Sequence, residues 1–303
     1  MVNNVAARSL REGRKHEKWD KAALLFVLPY FIFLAVFTIY PTFMAIVGSF
    51  FKWDILTNSF TKFLGLRNYA TAFSDKSFYQ SILNSSLYFV LQIPTSIFGG
   101  LLIANMLNKQ IKMRAFFRVV YFLPIATGSV VLSIVWSWMF QRSNGIINYA
   151  LETIGLQPVA WLTDQNVAMV SISIMKAWMD IGYYTIVFLG AFQSISNELV
   201  EAASIDGANS FQTFWRVKFP LLNPTIVFCV MMATIWAFQL FNEPYIMTGG
   251  GPLGASTTMT LYLYEMAFTK HKMSYASALG VIIAAMIMLI SIVERKMFER
   301  DVD

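Results

Sequence analysis

Residues 22–45 read AALLFVLPYFIFLAVFTIYPTFMA, a run of 24 residues without one charged side chain. A helix needs about 20 mostly apolar residues to cross the hydrocarbon core of a bilayer. The run is longer than the roughly 7–15 residues of a signal-peptide core, and no A-x-A cleavage site follows it. It therefore predicts a retained membrane-spanning helix, which Pro29 and Pro41 are expected to kink.

Five more apolar runs of comparable length follow along the chain. They occupy residues 80–107, 117–140, 167–192, 223–247 and 276–296. The whole chain is 57% hydrophobic and 13% charged, whereas soluble domains carry roughly 25% charged residues. The alternation of apolar and polar residues that barrel strands need is absent. Because backbone groups that face lipid must bond within their own segment, we predict an all-α polytopic membrane protein with six transmembrane helices.

Lysine and arginine residues are distributed unequally between the segments that join these runs. With the N-terminus placed in the cytoplasm, 15 of the 23 fall on the cytoplasmic side and 7 on the opposite side, while Lys176 lies inside a run. Excess Lys and Arg remain in the cytoplasm, so both termini are predicted there. The asymmetry accounts for the net charge of +6. We therefore predict the lipid bilayer, and no nucleic acid, as a partner.

The six runs divide the chain into four parts. Residues 1–21 form a basic cytoplasmic arm, and residues 22–79 hold the first transmembrane helix and an extracytoplasmic loop. Residues 80–296 form the core transmembrane domain, and residues 297–303 form a cytoplasmic tail. The core domain includes a polar cytoplasmic loop at 195–222.

That loop contains most of the stretch EAASIDGANSFQTFWRVKFPLLNP, residues 201–224. Asn197 is expected to cap a first short helix, because its side-chain oxygen can accept from the free N–H groups of the first turn. Asp206 and Gly207 form a turn pair, since glycine adopts backbone angles that other residues resist. The loop is thus predicted to turn back on itself after its first helix.

Asn209 or Ser210 can cap a second short helix, which Pro220 is expected to stop before Asn223-Pro224 begins the next span. This second helix carries aromatic side chains that a solvated loop does not need, namely Phe211, Phe214 and Trp215. Two interpretations remain open from the residues alone. The loop is either an amphipathic connector that rests on lipid headgroups or a docking element for a cytoplasmic partner.

The pattern Glu-Ala-Ala, three residues, Gly207 and later Phe219-Pro220 resembles the EAA signature of membrane subunits of binding-protein-dependent ABC importers. Two further stretches, FNEPYIMTGGGP at 241–252 and WDILTNSFTKFLGLRNYATAF at 53–73, are similar to the carbohydrate branch of that family, the maltose- and glycerol-phosphate-type first permeases. The chain departs from the maltose permease in lacking extra N-terminal spans and a large periplasmic insertion. With six predicted spans, the chain resembles the shorter members of this family.

The resemblance implies the fold of an ABC type I importer transmembrane domain in the cytoplasmic (inner) membrane of a prokaryote. It implies a second homologous permease, two ATP-binding subunits that bind ATP and Mg, an extracytoplasmic solute-binding protein, and a sugar or sugar-like substrate. The chain itself is expected to be non-catalytic and to bind no cofactor. The loop is expected to contact the ATPase through Glu201, Ala202, Ala203, Asp206, Gly207 and Phe211.

No ATP-binding motif of the form G-x-x-x-x-G-K-[ST] occurs in the sequence. Residues 249–256, GGGPLGAS, have the glycine spacing but carry Ala255 in place of the lysine, so we interpret them as a flexible outer loop. No cluster of His, Cys or acidic residues predicts a metal site. No nucleophile and base can be paired, which argues against a membrane-embedded enzyme.

Lys176 and Asp180 lie four residues apart in the fourth run, hence on one helix face. A single charge at the bilayer centre costs about 2.5–3.5 kcal/mol, so the two are expected to pair or to face water. They either form a salt bridge that holds the helix to its neighbours or line the translocation path. An ion-coupled secondary transporter, the main alternative function, would use them as a relay, but no inverted repeat typical of such transporters is visible.

The fifth run ends in a polar and aromatic stretch. Trp236, Gln239 and Glu243 recur at helical spacing, and Pro244 is expected to distort the helix. Aromatic faces with a few polar acceptors suit a sugar, although an aromatic belt at the membrane surface has the same composition. The residues predicted to line a substrate path are Lys176, Asp180, Trp236, Gln239, Asn242, Glu243 and Tyr245.

Overall fold

The structure, a computed structural model, describes residues 21–54, 59–108 and 113–298. The predicted basic arm at 1–21, apart from Lys21, and most of the predicted tail at 297–303 lie outside the described residues. Within these ranges four helices are long and apolar enough to cross a membrane, and the number rises to six if two bent helix pairs each count as one span. The prediction of an all-α polytopic membrane protein is confirmed.

The first span consists of α1 (Lys21–Leu34), a π-helical turn (Ala35–Ile39) and α2 (Tyr40–Phe50). In the π turn the Tyr40 N–H donates to the carbonyl of Ala35, one residue further back than in an α-helix. This wider turn directly precedes Pro41, which has no backbone N–H to donate. The helix therefore continues past Pro29 and Pro41 and ends only at Phe50.

A two-stranded antiparallel hairpin follows the first span and is the only sheet in the described part of the chain. Strand β1 (Phe51–Asp54) pairs with β2 (Ser59–Phe63), and Lys52 lies directly opposite Lys62. The rings of Trp53 and Phe60 pack edge to face, 5.2 Å between centroids. After the short helix α3 (Arg67–Ala72), the chain enters the second span, α4 (Lys76–Asn108).

The third predicted span, residues 117–140, is not one continuous helix. Helices α5 (Arg114–Thr127) and α6 (Ser129–Met139) are bent by 100° relative to each other. Gly128 joins them with φ 83° and ψ 146°, a conformation that only glycine adopts readily. The prediction of an unbroken helix is therefore wrong, because the apolar character of a run does not report a bend within it.

Helix α7 (Ile146–Thr153) precedes the fourth span, α8 (Ala168–Ser194). A series of short helical segments then joins the fourth span to the fifth. Next come α9 (Asn197–Ile205), α10 (Ser210–Thr213), a π turn (Phe214–Lys218), α11 (Phe219–Leu221) and α12 (Asn223–Phe238). The chain bends by 67° between α11 and α12. The remaining elements are α13 (Asn242–Met247), α14 (Met259–Tyr264), a π turn (Glu265–Thr269) and the sixth span, α15 (Met273–Phe298).

The centre of the main core is the contact between α4 and α8, where glycines let the two backbones approach closely. A Cβ atom added at Gly100 would lie 2.5 Å from Cβ of Tyr184. Gln92 bonds to Asp180 further up the same interface. Residue numbers therefore increase along both helices together, so α4 and α8 run in the same direction and finish at the same end of the bundle.

Gly182 sets the distance between α8 and α5. A Cβ atom at this position would lie 2.0 Å from the carbonyl oxygen of Tyr121, whereas one at Gly190, two turns later in α8, meets nothing within 4 Å. We expect Gly182→Ala to destabilise the protein by about 1–3 kcal/mol through overpacking, and Gly190→Ala to leave it unchanged. Thermal midpoints of the purified variants measure this. Equal midpoints for the two variants would show that α5 does not pack on Gly182.

Candidate functional site

Residues 195–222, termed the EAA segment below, begin at the end of α8. Ser196 has an extended backbone, φ −60° and ψ 134°, and its side chain accepts a 3.2 Å hydrogen bond from the Glu198 N–H. Ser196 is therefore the N-cap of α9, and the prediction that Asn197 fills this position is wrong. Asn197 is instead the first helical residue, where its side chain lies one position too far along to cap the first turn.

The end of α9 is closed by its own backbone. The Ala208 N–H donates to the carbonyl of Ala203 at 2.9 Å, and the Gly207 N–H donates to that of Ser204 at 3.1 Å. These two bonds form a Schellman motif, which requires a left-handed residue after the helix. Gly207 supplies it with φ 82°, as the predicted turn at Asp206-Gly207 requires.

A reciprocal capping box begins the second helix. The Asn209 side chain accepts from the Gln212 N–H, and the Gln212 side chain accepts from the Asn209 N–H, both at 2.9 Å. Of the two predicted caps, Asn209 is therefore the one used. Pro220 does not stop the helix as predicted, because it falls in α11 directly after a π turn. The chain changes direction at Leu222, and α12 begins at Asn223 without a side-chain cap.

The EAA segment has one face on the bundle and one face open. Phe214 is 7% exposed and contacts Phe192 of α8. Phe211 is 72% exposed. Of the six predicted coupling residues, Ala203 is half-buried, and the structure leaves five exposed on this segment: Glu201, Ala202, Asp206, Gly207 and Phe211.

The open face also carries an apolar residue that the sequence analysis did not single out. Ile205, the last residue of α9, is 86% exposed. The sequence contains one signal for this exposed apolar position, which is an isoleucine next to a turn pair in a polar loop. Together with Phe211 it places apolar surface where solvent would otherwise meet polar residues, which is typical of a surface that a partner protein or lipid headgroups cover.

Lys176 and Asp180 form the ion pair that their spacing predicts, with 2.5 Å between Nζ and Oδ1. The second carboxylate oxygen of Asp180 accepts a 2.7 Å hydrogen bond from the Gln92 side chain of α4. Both charged side chains are mostly buried, 17% and 15% exposed. Gln92 was missed by the sequence analysis, although a glutamine in the middle of an apolar run was a signal for such a role.

Glu243 joins the same polar network from the other side. It lies at the start of α13 and is 3% exposed. Its carboxylate bonds to Ser129 and is near enough to Lys176 and Asp180 for an electrostatic interaction, although it forms no ion pair with Lys176 within 4.0 Å. The adjacent Asn242 donates to the Ser129 hydroxyl at 3.3 Å. The break at Gly128 positions Ser129, the first residue of α6, for these contacts. Three of the predicted path residues, Lys176, Asp180 and Glu243, are thus brought together.

The other four predicted path residues, Trp236, Gln239, Asn242 and Tyr245, are exposed. They do not share one helix as predicted, because α12 ends at Phe238. Two hydroxyl groups bond to carbonyls at and just after this ending: Thr260 donates to Phe238 at 3.2 Å and Thr258 to Leu240 at 2.6 Å. Trp236 packs edge to face on Tyr183 of α8, 5.2 Å between centroids, and it remains 42% exposed.

The glycine-rich stretch 249–256 is not the flexible loop that its composition predicts. The Asn84 side chain of α4 donates to the carbonyls of Gly254 and Thr257 at 2.7 and 2.9 Å. The Thr257 hydroxyl donates to the Gly250 carbonyl at 3.0 Å. Buried side chains thus hold this loop against the second span.

In the described ranges, no group of three His, Cys, Asp or Glu side chains could hold a metal ion.

Known proteins resemble this chain over nearly its whole length. The family model described as "Binding-protein-dependent transport system inner membrane component" matches residues 96–303. The probable ABC transporter permease protein YurN of Bacillus subtilis (strain 168) is 37% identical over 279 residues, covering 91% of this chain and 95% of that protein. The lactose transport system permease protein LacF of Rhizobium radiobacter is 34% identical over 282 residues, with coverage of 91% and 93%.

A solved structure shares the fold. It is the crystal structure of a bacterial alginate ABC transporter in complex with alginate pentasaccharide-bound periplasmic protein, of which one chain matches with a TM-score of 0.82. The match is 22% identical in sequence and covers 93% of this chain and 96% of that chain. At this identity the likeness concerns the arrangement of helices alone.

The contribution of the buried Lys176–Asp180 pair to stability can be tested by substitution. Lys176→Met leaves the Asp180 carboxylate without its cation, and we expect it to lower stability by up to about 3 kcal/mol. The double variant Lys176→Met/Asp180→Leu removes both charges, so we expect it to recover most of that loss. Thermal midpoints of the purified variants measure both effects.

A matched control, Arg142→Met, removes one exposed cation that lies outside the polar network, and it is expected to change nothing. If Lys176→Met is as stable as the unaltered protein, the pair contributes nothing to the fold. Uptake by the double variant then separates the two interpretations of the pair: transport by a stable double variant indicates a structural bridge, and its loss indicates a place in the path.

Proposed function

The chain belongs to the family of binding-protein-dependent transport system inner membrane components, and from that premise we propose that it is a permease subunit of an ATP-driven importer for a sugar or sugar-like solute. The predicted resemblance and the ABC type I importer fold are confirmed. The observation that carries the proposal is the exposed EAA segment, which lies within the matched residues. The lactose permease among its relatives supports a sugar as the solute.

The proposed topology follows from the charge distribution and the helix directions. α4 ends at Asn108 and α8 ends at Ser194 at the same end of the bundle. The end of α4 and the EAA segment after α8 therefore lie on one side, which the excess of Lys and Arg assigns to the cytoplasm. Both termini belong on that side. The hairpin β1–β2 then lies outside, where an extracytoplasmic binding protein delivers solute.

The EAA segment is proposed to couple this chain to separate ATPase subunits, which bind ATP and Mg. Its caps are all formed by residues of the segment itself, so each short helix is closed without help from a partner. Phe214 packs on α8, and α11 continues through Leu222 into α12. A force applied by an ATPase at Phe211 and Ile205 would therefore move α8 and α12 as rigid bodies. Such movement switches the solute cavity between the two sides of the membrane.

The solute path is proposed to lie along the exposed face that carries Trp236, Gln239, Asn242 and Tyr245. This face is open in the single chain, so a second, homologous permease would complete the cavity. Tyr245 stacks on Phe241, 5.2 Å between ring centroids, which gives a broad aromatic surface for the C–H faces of a sugar. The charged network around Asp180 lies deeper and holds the surrounding helices in place. The ion-coupled alternative is not favoured, since the family matches importer components.

We expect Gly207→Pro to abolish uptake and copurification of the ATPase while the chain still inserts into the membrane. Proline cannot adopt the φ of 82° found here and lacks the N–H that closes α9, and strain of this kind costs about 1–3 kcal/mol locally. Gly207→Asn is the matched control, because asparagine tolerates the left-handed region. Normal uptake and normal copurification in the proline variant would contradict the coupling role.

Trp236→Ala tests the path. Loss of one stacking surface of about 1 kcal/mol should raise the KM of uptake roughly fivefold and leave the maximal rate within about twofold, since Trp236 is exposed and its removal leaves the core intact. Phe228→Ala removes a similarly exposed ring, 49%, from the same helix and serves as control. An unchanged KM in the tryptophan variant removes this residue from the path.

A further inference from the structure

A cleft of about 1030 Å³ lies at the end of the bundle opposite to the EAA segment. The hairpin, α3, the start of α4 and residues 270–275 line it. Because α2 ends and α4 and α15 begin here, the cleft opens at the ends of three of the candidate spans. Its volume suits a ligand of the size of a phosphorylated sugar or a phospholipid headgroup.

The cleft is strongly cationic. The lining contains two carboxylates, Asp75 and Glu265, against six lysine and arginine side chains: Lys52, Lys62, Arg67, Lys76, Lys270 and Lys272. These six come from four separate segments of the chain and are all exposed. Among the residues that the structure describes, none of the six forms an ion pair within 4.0 Å. Glu265 interacts electrostatically with Lys270, so the fold gathers an excess of positive charge here that is only partly offset.

Asp75 is already engaged by other groups. Its carboxylate accepts hydrogen bonds from the hydroxyls of Tyr262 and Tyr275 at 2.5 and 2.7 Å, and from the Ser77 N–H at 2.9 Å. Burial acts to raise the pKa of Asp75, but these hydrogen bonds outweigh it and hold the pKa below its ordinary value. Its charge caps α4 and ties the start of α4 to α14 and α15, so it does not pair with the lysines.

Lys52 and Lys62 are the two cations of the cleft whose relative position is fixed by strand pairing. They lie directly opposite each other across the hairpin, and like charges in that position destabilise a strand pair. Asp54 is the one carboxylate on the two strands, and it does not line the cleft. An anion between the two ammonium groups would turn this repulsion into two attractive contacts.

We propose that this cleft is an anion-binding site, which takes a phosphate or similarly charged oxyanion group. The group can be carried by a soluble solute or by the headgroup of an anionic phospholipid in the adjacent leaflet. The site is distinct from both the EAA segment and the solute path, and it stands whether or not the proposed import of sugar is correct. Since the cations are exposed, binding weakens as the salt concentration rises.

Lys62→Gln gives the sharpest test, because its effect changes sign with the anion. In nanodiscs of phosphatidylcholine, with chloride as the only anion, the variant should be at least as stable as the unaltered chain, since it relieves the repulsion with Lys52. Inorganic phosphate at constant ionic strength should raise the thermal midpoint of the unaltered chain by about 3 °C. The variant should need at least about tenfold more phosphate for the same rise.

Arg142→Gln is the matched control: it removes one exposed cation outside the cleft and should behave as the unaltered chain. Nanodiscs that contain phosphatidylglycerol distinguish the two sources of the anion. If this lipid raises the midpoint and phosphate then adds nothing, the headgroup occupies the site; if phosphate alone acts, the ligand is soluble. If neither acts, or if Lys62→Gln and Arg142→Gln respond alike, the proposal is overturned.

Discussion

The close crossing of α4 and α8 determines where the other functional parts lie. Gly100 leaves no room for a side chain against Tyr184, and the resulting approach brings Gln92 within hydrogen-bonding distance of Asp180. The same crossing makes the two helices parallel, so that the EAA segment and the cationic cleft lie at opposite ends of the bundle. Small side chains at the contact thus set both the polar network and the separation of the two surfaces.

Hydropathy predicted the straight spans well, because length and apolar composition are sufficient to identify them. The runs at 80–107, 167–192 and 276–296 correspond to α4, α8 and α15. The bent spans could not be predicted in the same way. The angle at Gly128 depends on a backbone conformation that one glycine allows, and the hydroxyl groups that bond to the chain at the end of α12 belong to Thr258 and Thr260, some 20 residues later.

The EAA segment and the polar network around Asp180 also differ in how far the sequence could predict them. The EAA segment consists of consecutive residues whose caps are local, so a motif and a few turn residues were sufficient to place it, apart from the exchange of Asn197 for Ser196. The polar network joins Gln92 of α4 to Asp180 of α8, 88 positions apart, and only the tertiary packing shows that they meet. The glycine-rich stretch was misinterpreted for the same reason, because Asn84 of a distant helix holds it.

Hydrogen bonds within the EAA segment close both of its short helices, and this affects how fast a partner can engage and release the segment. The Schellman motif at Gly207 and the capping box at Asn209 lie entirely within this chain, so the two short helices need no companion subunit to take their shape. A preformed surface loses little conformational freedom on association. Under the proposed coupling to an ATPase, attachment can therefore proceed by rigid encounter, without a folding step.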